Sequence, residues 1–446
     1  MKKHLFLCLG FLSASAFGWT GTDCVFGKAD REIPVYGPGE RMTFTLETRG
    51  FAGADLSGWK LQWTRTGDDG RTENGEAPAS KPFIYGTSLD RPGFVRLYAE
   101  LVDGAGKAVL RENREKVFFD GGAGVDILKI RQGVPEPSDF DVFWARRKAK
   151  LAEVAWQGKE TVKELSSPDP AVALYAVEIP CAGGMPATGY LSVPKAPGRY
   201  PARISFWGYG ASWGKNATEP PKKVFKDEIE LSLSAHGFRL GRDAEYYRAL
   251  RKAAGSNGYG HAFDPEQNAD PDTAYFAGMT YRVMRGLEYL KSRSEWNGRS
   301  LRAVGGSQGG LQAIWAAALD HDVTQCNPAI PWCCDIGGTE VGRNRGTWYV
   351  KWVPALGYYD PVNMAKRIPK TCTLYVSRAG LGDYICPPTG VMAFYNNLTC
   401  PKSMVMWQNS EHGYVPAVPH AKFTLRGDEI GDPSGHHARR SDEKGE

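Results

Sequence analysis

The sequence predicts two folded parts: an N-terminal sandwich of short antiparallel strands, then an α/β domain built on a largely parallel sheet. Two patterns carry that expectation. Apolar residues recur with period two early in the chain, and from residue 124 strand-like runs alternate with helix-like ones. Size and composition agree with it. A chain of 446 residues exceeds one ordinary domain, and 42% hydrophobic with 24% charged residues is the balance of a folded globular protein.

In the early region Met42, Phe44 and Leu46 alternate with Thr43, Thr45 and Glu47. Trp59, Leu61 and Trp63 alternate with Lys60 and Gln62, and Val95, Leu97, Ala99 and Leu101 with Arg96, Tyr98 and Glu100. Gly37-Pro38-Gly39, Asp68-Asp69-Gly70 and Asp103-Gly104 mark turns between these runs. Half-buried strands at this spacing read as an immunoglobulin-like sandwich over 17–123, with no visible chemistry. The texture changes after Gly121-Gly122-Ala123-Gly124, and 124–428 is read as the α/β domain. Phe140 to Ala155 has helical spacing, capped by Ser138 or Asp139. Strands are expected at Ala202–Trp207, Leu301–Val304, Thr373–Ser377 and Met404–Trp407, and helices at Met279–Ser292 and Leu311–Leu319. Residues 429–446 are polar and charged and read as a disordered tail.

The first sixteen residues read as a cleaved export signal. Met1-Lys2-Lys3 is positive, His4 to Leu12 is mostly apolar, and Ala14-Ser15-Ala16 supplies small residues for cleavage. The apolar run is too short to span a bilayer, so a secreted or periplasmic protein without membrane insertion is expected. Cys8 leaves with the signal; eight cysteines remain, of which some could pair in an oxidising compartment. Cys333-Cys334 are adjacent rather than spaced as zinc ligands, no H-E-x-x-H occurs, and no metal is expected. The 55 basic and 50 acidic residues are dispersed, which argues against a nucleic-acid partner. Asn216 and Asn397 head Asn-x-Ser/Thr sequons, which matter only in a eukaryotic secretory pathway.

Chemistry concentrates after residue 200. Gly305-Gly306-Ser307-Gln308-Gly309-Gly310 matches G-x-S-x-G between an expected strand and an Ala-rich helix. That setting defines a nucleophile elbow, in which a strained turn presents the serine hydroxyl. The backbone N–H of Gln308, opening the helix, points at a developing oxyanion. A serine nucleophile needs a base and an acid, and on such folds they follow it in the order acid, histidine. His412, just past the Met404–Trp407 strand, is the expected base, with His420 as runner-up. Asp383, in the loop after the preceding strand, is the expected acid, and Glu411 and Asp335 compete with it. Tyr209, in Trp207-Gly208-Tyr209-Gly210 after an early strand, is the expected second oxyanion donor through its backbone N–H.

These blocks together resemble carbohydrate esterase family seven, the acetyl xylan esterase and cephalosporin C deacetylase family. The resemblance rests on Phe140–Trp144 (FDVFW), Trp207–Gly210, Gly305–Gly310 (GGSQGG), Gly380–Pro388 (GLGDYICPP), Tyr395-Asn396-Asn397 and Glu411-His412-Gly413. It covers roughly Pro135 to Lys422. It implies an α/β-hydrolase fold and removal of acetyl groups from sugar hydroxyls without a cofactor. It puts the nucleophile on Ser307, the acid on Asp383, the base on His412 and the oxyanion donors on Tyr209 and Gln308.

Three departures stand out. Trp207-Gly208-Tyr209 replaces the family's His-Gly-Tyr, Ser234-Ala235-His236-Gly237 stands where an Arg-Gly-Gln-Gly segment is usual, and the sandwich is extra. The first two make Trp207 and His236 expected substrate-binding residues, joined by Tyr384, one of several aromatics near the motifs that could stack on sugar rings. The third leaves the family's ring-like hexamer, and any homo-oligomer, open. The expected activity is deacetylation of an acetylated oligo- or polysaccharide. A serine peptidase or other acyl esterase of the same fold, or an inactive glycan-binding protein, are the alternatives.

Overall fold

The computed structural model describes residues 24–51, 54–111, 114–209, 219–234, 236–412, 418 and 420–432. The expected export signal, and the expected tail beyond residue 432, lie outside the described residues. The chain forms two compact units that do not follow its order. The first holds Glu136–Cys333 and Val350–Tyr375; the second holds the described residues up to Pro135, then Cys334–Tyr349 and those from Val376 onward.

The second unit begins with eight strands: β1 (Cys24–Ala29), β2 (Val35–Tyr36), β3 (Met42–Arg49), β4 (Lys60–Gly67), β5 (Glu73–Pro78), β6 (Phe83–Thr87), β7 (Gly93–Val102) and β8 (Phe118–Val125). They make one sheet in the order β1-β3-β6 and another in the order β2-β8-β7-β4-β5. Every pair is antiparallel except the short β2–β8 pair, which is parallel. The period-two pattern explains the packing, because alternate side chains leave a strand on the same face. Val25, Phe44 and Leu46 from one sheet and Leu61, Val95, Leu97 and Phe119 from the other fall in a single buried cluster. Trp59 and Trp63 pack only partly buried against it. The glycine run at 121–124, expected to end the sandwich, lies inside β8 and is buried.

The first unit contains α1 (Phe140–Ala152), β9 (Thr161–Leu165), β10 (Val172–Ile179), β11 (Ala187–Pro194), β12 (Tyr200–Phe206), β13 (Ile229–Leu233), α2 (Ala244–Ala254), α3 (Tyr275–Lys291), β14 (Trp296–Gly306), α4 (Gln308–Leu319), β15 (Gln325–Ala329) and α5 (Pro361–Met364). Its strands run β9-β10-β11-β13-β12-β14-β15. The sheet is mixed rather than largely parallel. The pairs β12–β13, β12–β14 and β14–β15 are parallel, whereas β9–β10, β10–β11 and β11–β13 are antiparallel. The antiparallel edge escaped the sequence reading because β9 to β11 follow one another without an intervening helix. Helix α4 is buried along its whole length, as an apolar all-round helix must be, and Trp315 Nε1 donates to the Tyr359 carbonyl at 2.8 Å.

Strand β16 (Thr373–Gly380) opens in the first unit, where Thr373 and Leu374 pair parallel with Gln325 and Cys326, and its residues from Val376 belong to the second. The second unit then adds α6 (Pro388–Asn397), β17 (Lys402–Trp407), β18 (Lys422–Arg426) and β19 (Glu429–Gly431), in the order β16-β17-β18-β19. Residues 429–431, expected in the tail, pair antiparallel with β18. Among the described residues no helix is long and apolar enough to cross a membrane.

Candidate active site

Ser307 sits between β14 and α4 at φ 57°, ψ −120°, a conformation costly for a residue with a Cβ. Its surroundings hold it there. Ser307 N donates to the Ala329 carbonyl (3.0 Å), and the Ser307 carbonyl accepts from Leu311 N (3.1 Å) and Trp332 N (3.2 Å). The flanking glycines are required by space rather than by φ. A Cβ on Gly305 would lie 2.3 Å from the Gly309 carbonyl oxygen, and one on Gly309 would lie 2.3 Å from that of Phe206. Gln308 opens α4 and is fully buried. One turn on, Gln312 Nε2 donates to the Trp207 carbonyl (3.1 Å), tying α4 to the segment after β12.

That segment carries Trp207 and Tyr209. Trp207 Nε1 donates to Ser232 Oγ (2.8 Å) and its ring lies 6.2 Å from that of Tyr190, so the indole is engaged with β13 and β11. The Tyr209 ring stacks on His261 (3.8 Å between centroids, 7° between planes), and its hydroxyl donates to the His261 carbonyl (3.0 Å). Trp332 and Phe263 meet its edges. His236 is buried, its Nδ1 hydrogen-bonded to the Tyr275 hydroxyl and its ring edge-on to His261 at 4.7 Å. Burial drives both imidazoles toward the neutral form. It holds His236 well below its ordinary pKa, helped by His261 and Arg282, and His261 down to about 3, helped by Arg251. His261, the hinge between Tyr209 and His236, was not among the expected residues. A histidine between Gly260 and Ala262-Phe263, in an aromatic-rich stretch, was the signal for it.

In the second unit Asp383 lies in the loop between β16 and α6, with no exposed surface. Its Oδ1 accepts from Ile385 N (3.0 Å) and Cys386 N (2.9 Å), so the loop folds around its own carboxylate. Its Oδ2 accepts from His412 Nδ1 at 3.1 Å. The two loops meet backbone to backbone: Leu381 N donates to the Trp407 carbonyl (2.9 Å) and Gly382 N to that of Ser410 (3.2 Å). A Cβ on Gly380 would lie 2.0 Å from Ser410 O. Cys386 Sγ is 3.7 Å from His412 Nδ1, and Asp383, Cys386 and His412 bring three ligand atoms within 4.8 Å of one another. That spacing suits a metal ion, although two of the three atoms already share the acid–imidazole hydrogen bond.

Two of the three competing residues, His420 and Asp335, are engaged elsewhere. His420 stacks on Phe26 (4.6 Å) and its Nδ1 donates to the Val418 carbonyl (2.8 Å). Asp335 accepts from Gly133 N (2.7 Å) and pairs with Arg343. Glu411 is half-buried; burial and the nearby Asp120 charge push its carboxyl up to about 7. Tyr384, expected against sugar, is 5% exposed, with the Arg96 guanidinium 4.5 Å above its ring, so that face is covered.

Comparison with known proteins gives the family. The model of the family described as acetyl xylan esterase matches residues 125–340 and 347–425, well over half of the chain. The chain belongs to the acetyl xylan esterase family. The acetyl esterase Axe7A of Xylanibacter ruminicola is 29% identical over 292 residues, 62% of this chain and 63% of its own length. The chain thus spans less than two thirds of that relative. Among solved structures, the acetyl xylan esterase of Paenibacillus sp. R4 superposes with a TM-score of 0.55 at 24% identity, covering 65% of this chain and 94% of that one. Acetyl xylan esterase 1 of Thermoanaerobacterium sp. JW/SL YS485 gives 0.52 at 21%, covering 65% and 93%. At these identities the two structures speak for the α/β-hydrolase type of fold with a mixed sheet.

Proposed function

We propose that this acetyl xylan esterase family member is an exported serine carboxylic-ester hydrolase that deacetylates acetylated oligo- or polysaccharides. Ser307 Oγ attacks the acetyl carbonyl while His412 takes its proton, and Asp383 holds the imidazole in the right tautomer and stabilises the imidazolium. The backbone N–H groups of Gln308 and Tyr209 receive the oxyanion, each worth roughly 10²–10³ in rate if it behaves as such donors do elsewhere. The leaving sugar hydroxyl recovers the proton from His412. Water activated by the same histidine then hydrolyses the acetyl-enzyme. The reaction draws on no cofactor.

The observation that carries this reading is the hydrogen bond from His412 to Asp383 at 3.1 Å, which supports taking this histidine and this acid as the pair. Trp207, Tyr209 and His236 are read as walls on the acyl and sugar side, with His236 neutral and therefore a hydrogen-bonding wall rather than a cation. The strands of 24–125 are read as an immunoglobulin-like sandwich. The test is hydrolysis of aryl acetate, butyrate and hexanoate by the mature protein alongside Ser307→Ala. Preference for acetate, with a loss of about 10⁴-fold or more in the variant, is expected. Equal rates for variant and wild type would remove the serine assignment.

A further inference from the structure

The sandwich need not be a separate module, because its second sheet meets the two loops that carry Asp383 and His412. Asp120 N, on β8, donates to Asn409 Oδ1 at 2.9 Å. Two residues along, Gly122 N donates to Gln408 Oε1 and the Gly122 carbonyl accepts from Gln408 Nε2, both at 2.8 Å. Gln408 extends the base loop as though it were one more rung beside β8. The acid loop touches the same stretch: a Cβ on Gly382 would lie 2.2 Å from the Asp120 carbonyl oxygen, and one on Gly122 would lie 3.4 Å from that of Leu381. Asp120, Gln408 and Asn409 are all buried.

A charge pair sits at this junction. Arg96, on β7, reaches Asp120 through two parallel contacts, Nε to Oδ1 at 2.8 Å and a terminal nitrogen to Oδ2 at 2.5 Å, the bidentate geometry of a strong pair. Its guanidinium also covers the ring of Tyr384, the residue after Asp383. The groups facing Arg96 are Asp120 and Tyr98 from the sandwich, Tyr384 from the acid loop and Glu411 from the base loop. Asp383 in turn faces Asp120, Glu411 and Arg378. Two carboxylates, Asp120 and Glu411, therefore crowd that of Asp383, and Arg96 is the sandwich's counter-charge to them.

We propose that β7 and β8 position the acid–base pair: the β8 backbone from Asp120 to Gly122 locks both loops in one register, and Arg96 balances the carboxylates around Asp383. The inference rests on the reading of Asp383 and His412 as acid and base. An imidazole bonded to a carboxylate on a different loop keeps its orientation only while both loops keep theirs. Misplacement by about 1 Å costs on the order of 10²-fold in rate. Asp120, Gln408, Asn409 and Arg96 touch no substrate in this scheme and act through the loops.

The experiment compares kcat, KM and the pH profile of kcat/KM on aryl acetate for wild type, Arg96→Gln, Arg96→Lys and the doubly neutral Arg96→Gln/Asp120→Asn. Glu76→Gln serves as control, since Glu76 is exposed on the edge strand β5 and its carboxylate meets Lys60 and Gln62 of β4. Arg96→Gln is expected to lower kcat about 10- to 100-fold with KM nearly unchanged. Losing the cation lets Asp120 and Glu411, whose carboxyls burial already raises, hold protons to still higher pH, so the acidic limb of the profile should move up. Arg96→Lys should restore part of both. The double variant, which leaves no buried carboxylate unpaired and so guards against simple misfolding, should return the limb to its place while kcat stays low, because no guanidinium then bridges β8 to Tyr384 of the acid loop. Glu76→Gln should match wild type.

The inference is overturned if folded Arg96→Gln or the double variant keeps wild-type kcat and limb, if the loss falls on KM alone, or if Glu76→Gln loses as much. Arg96→Lys and the double variant decide the question if Arg96→Gln does not fold. Ser307→Ala and His412→Ala separate the two levels. If either stays active, the catalytic reading fails. If both are inactive and the Arg96 variants are normal, only the positioning role fails.

Discussion

The proposed nucleophile in the first unit and the proposed acid–base pair in the second are held in different ways. Ser307 is fixed by its own strand and helix: β14 delivers it, α4 leaves from it, and three backbone hydrogen bonds to Ala329, Leu311 and Trp332 hold its strained φ. The Asp383–His412 hydrogen bond joins two loops, and its surroundings include strands that lie more than 250 residues earlier in the chain, with Asp120 and Asn409 separated by 289 positions. A local motif brings its geometry with it. A long-range one borrows geometry from whatever packs against it, and so has more residues through which it can be loosened.

Paired glycine substitutions probe this difference most severely. Gly309→Ala would put a methyl 2.3 Å from the Phe206 carbonyl oxygen, and Gly382→Ala would put one 2.2 Å from that of Asp120. Neither neighbour is a flexible side chain. In the elbow the clash drives α4 away from β12, and a loss of about 3 kcal/mol in urea unfolding is expected together with loss of activity. At Gly382 the clash drives the acid loop away from β8. A smaller stability loss of about 1–2 kcal/mol, and a fall in kcat on the order of 10²-fold, are expected there. If Gly382→Ala keeps full kcat, β8 does not constrain the acid, and the contrast between the regions disappears.

The same contrast governs what was legible in the sequence. The elbow could be read because G-x-S-x-G, a strand and an Ala-rich helix follow one another within about twenty residues. Asp383 and His412 could be read from their order after Ser307 and from flanking strands, and the structure pairs them. The role of Gly121 and Gly122 was hidden. A glycine run reads as a boundary, whereas here Cβ atoms would lie 2.1 Å from Gln408 Oε1 and 2.2 Å from the Val95 carbonyl oxygen. Arg96 and Asp120 were hidden for the same reason, since alternation marked Arg96 only as an outward-facing residue of a strand. His261 was passed over because it precedes the serine, and tertiary packing alone brings it onto Tyr209. The mixed sheet was missed because β9 to β11 follow one another outside any βαβ unit.

Titration separates the regions in opposite directions. In the first unit, burial keeps His261 neutral down to about pH 3 and His236 well below its ordinary value. Between there and the unfolded value near 6.5 the unfolded chain binds protons that the folded one refuses, so stability falls as pH drops through that window. In the second unit, burial raises Asp120 to about 6 and Glu411 to about 7, above unfolded values near 4. There the folded chain binds the extra protons, and stability rises as pH drops from 7 toward 4. Amide exchange corrected for intrinsic rates, measured at pH 7 and 5.5, should show protection falling around 259–276 relative to 118–122 and 408–411. A relative change of about 1–2 kcal/mol is expected. Parallel changes in both regions would mean that the chain opens as one cooperative unit.

The smallest expected effect discriminates between two histidines eight positions apart. His420 has Nδ1 donating to Val418 O, and Nε2 receiving from Asn409 Nδ2 at 3.2 Å and, at 3.4 Å, from Gly27 N, with its ring stacked on Phe26; glutamine at 420 keeps an acceptor for Asn409. Burial favours the neutral form of His420, and among the described residues no carboxylate pairs with its ring. His412 has that carboxylate at 3.1 Å. His420→Gln should therefore cost about 0.5–1.5 kcal/mol of stability through lost stacking and leave kcat on aryl acetate within about 2-fold of wild type, whereas His412→Ala should remove activity. Should the two variants fall together in kcat at equal thermal stability, the base is not His412 alone, and the acid–base region would be wider than one loop pair.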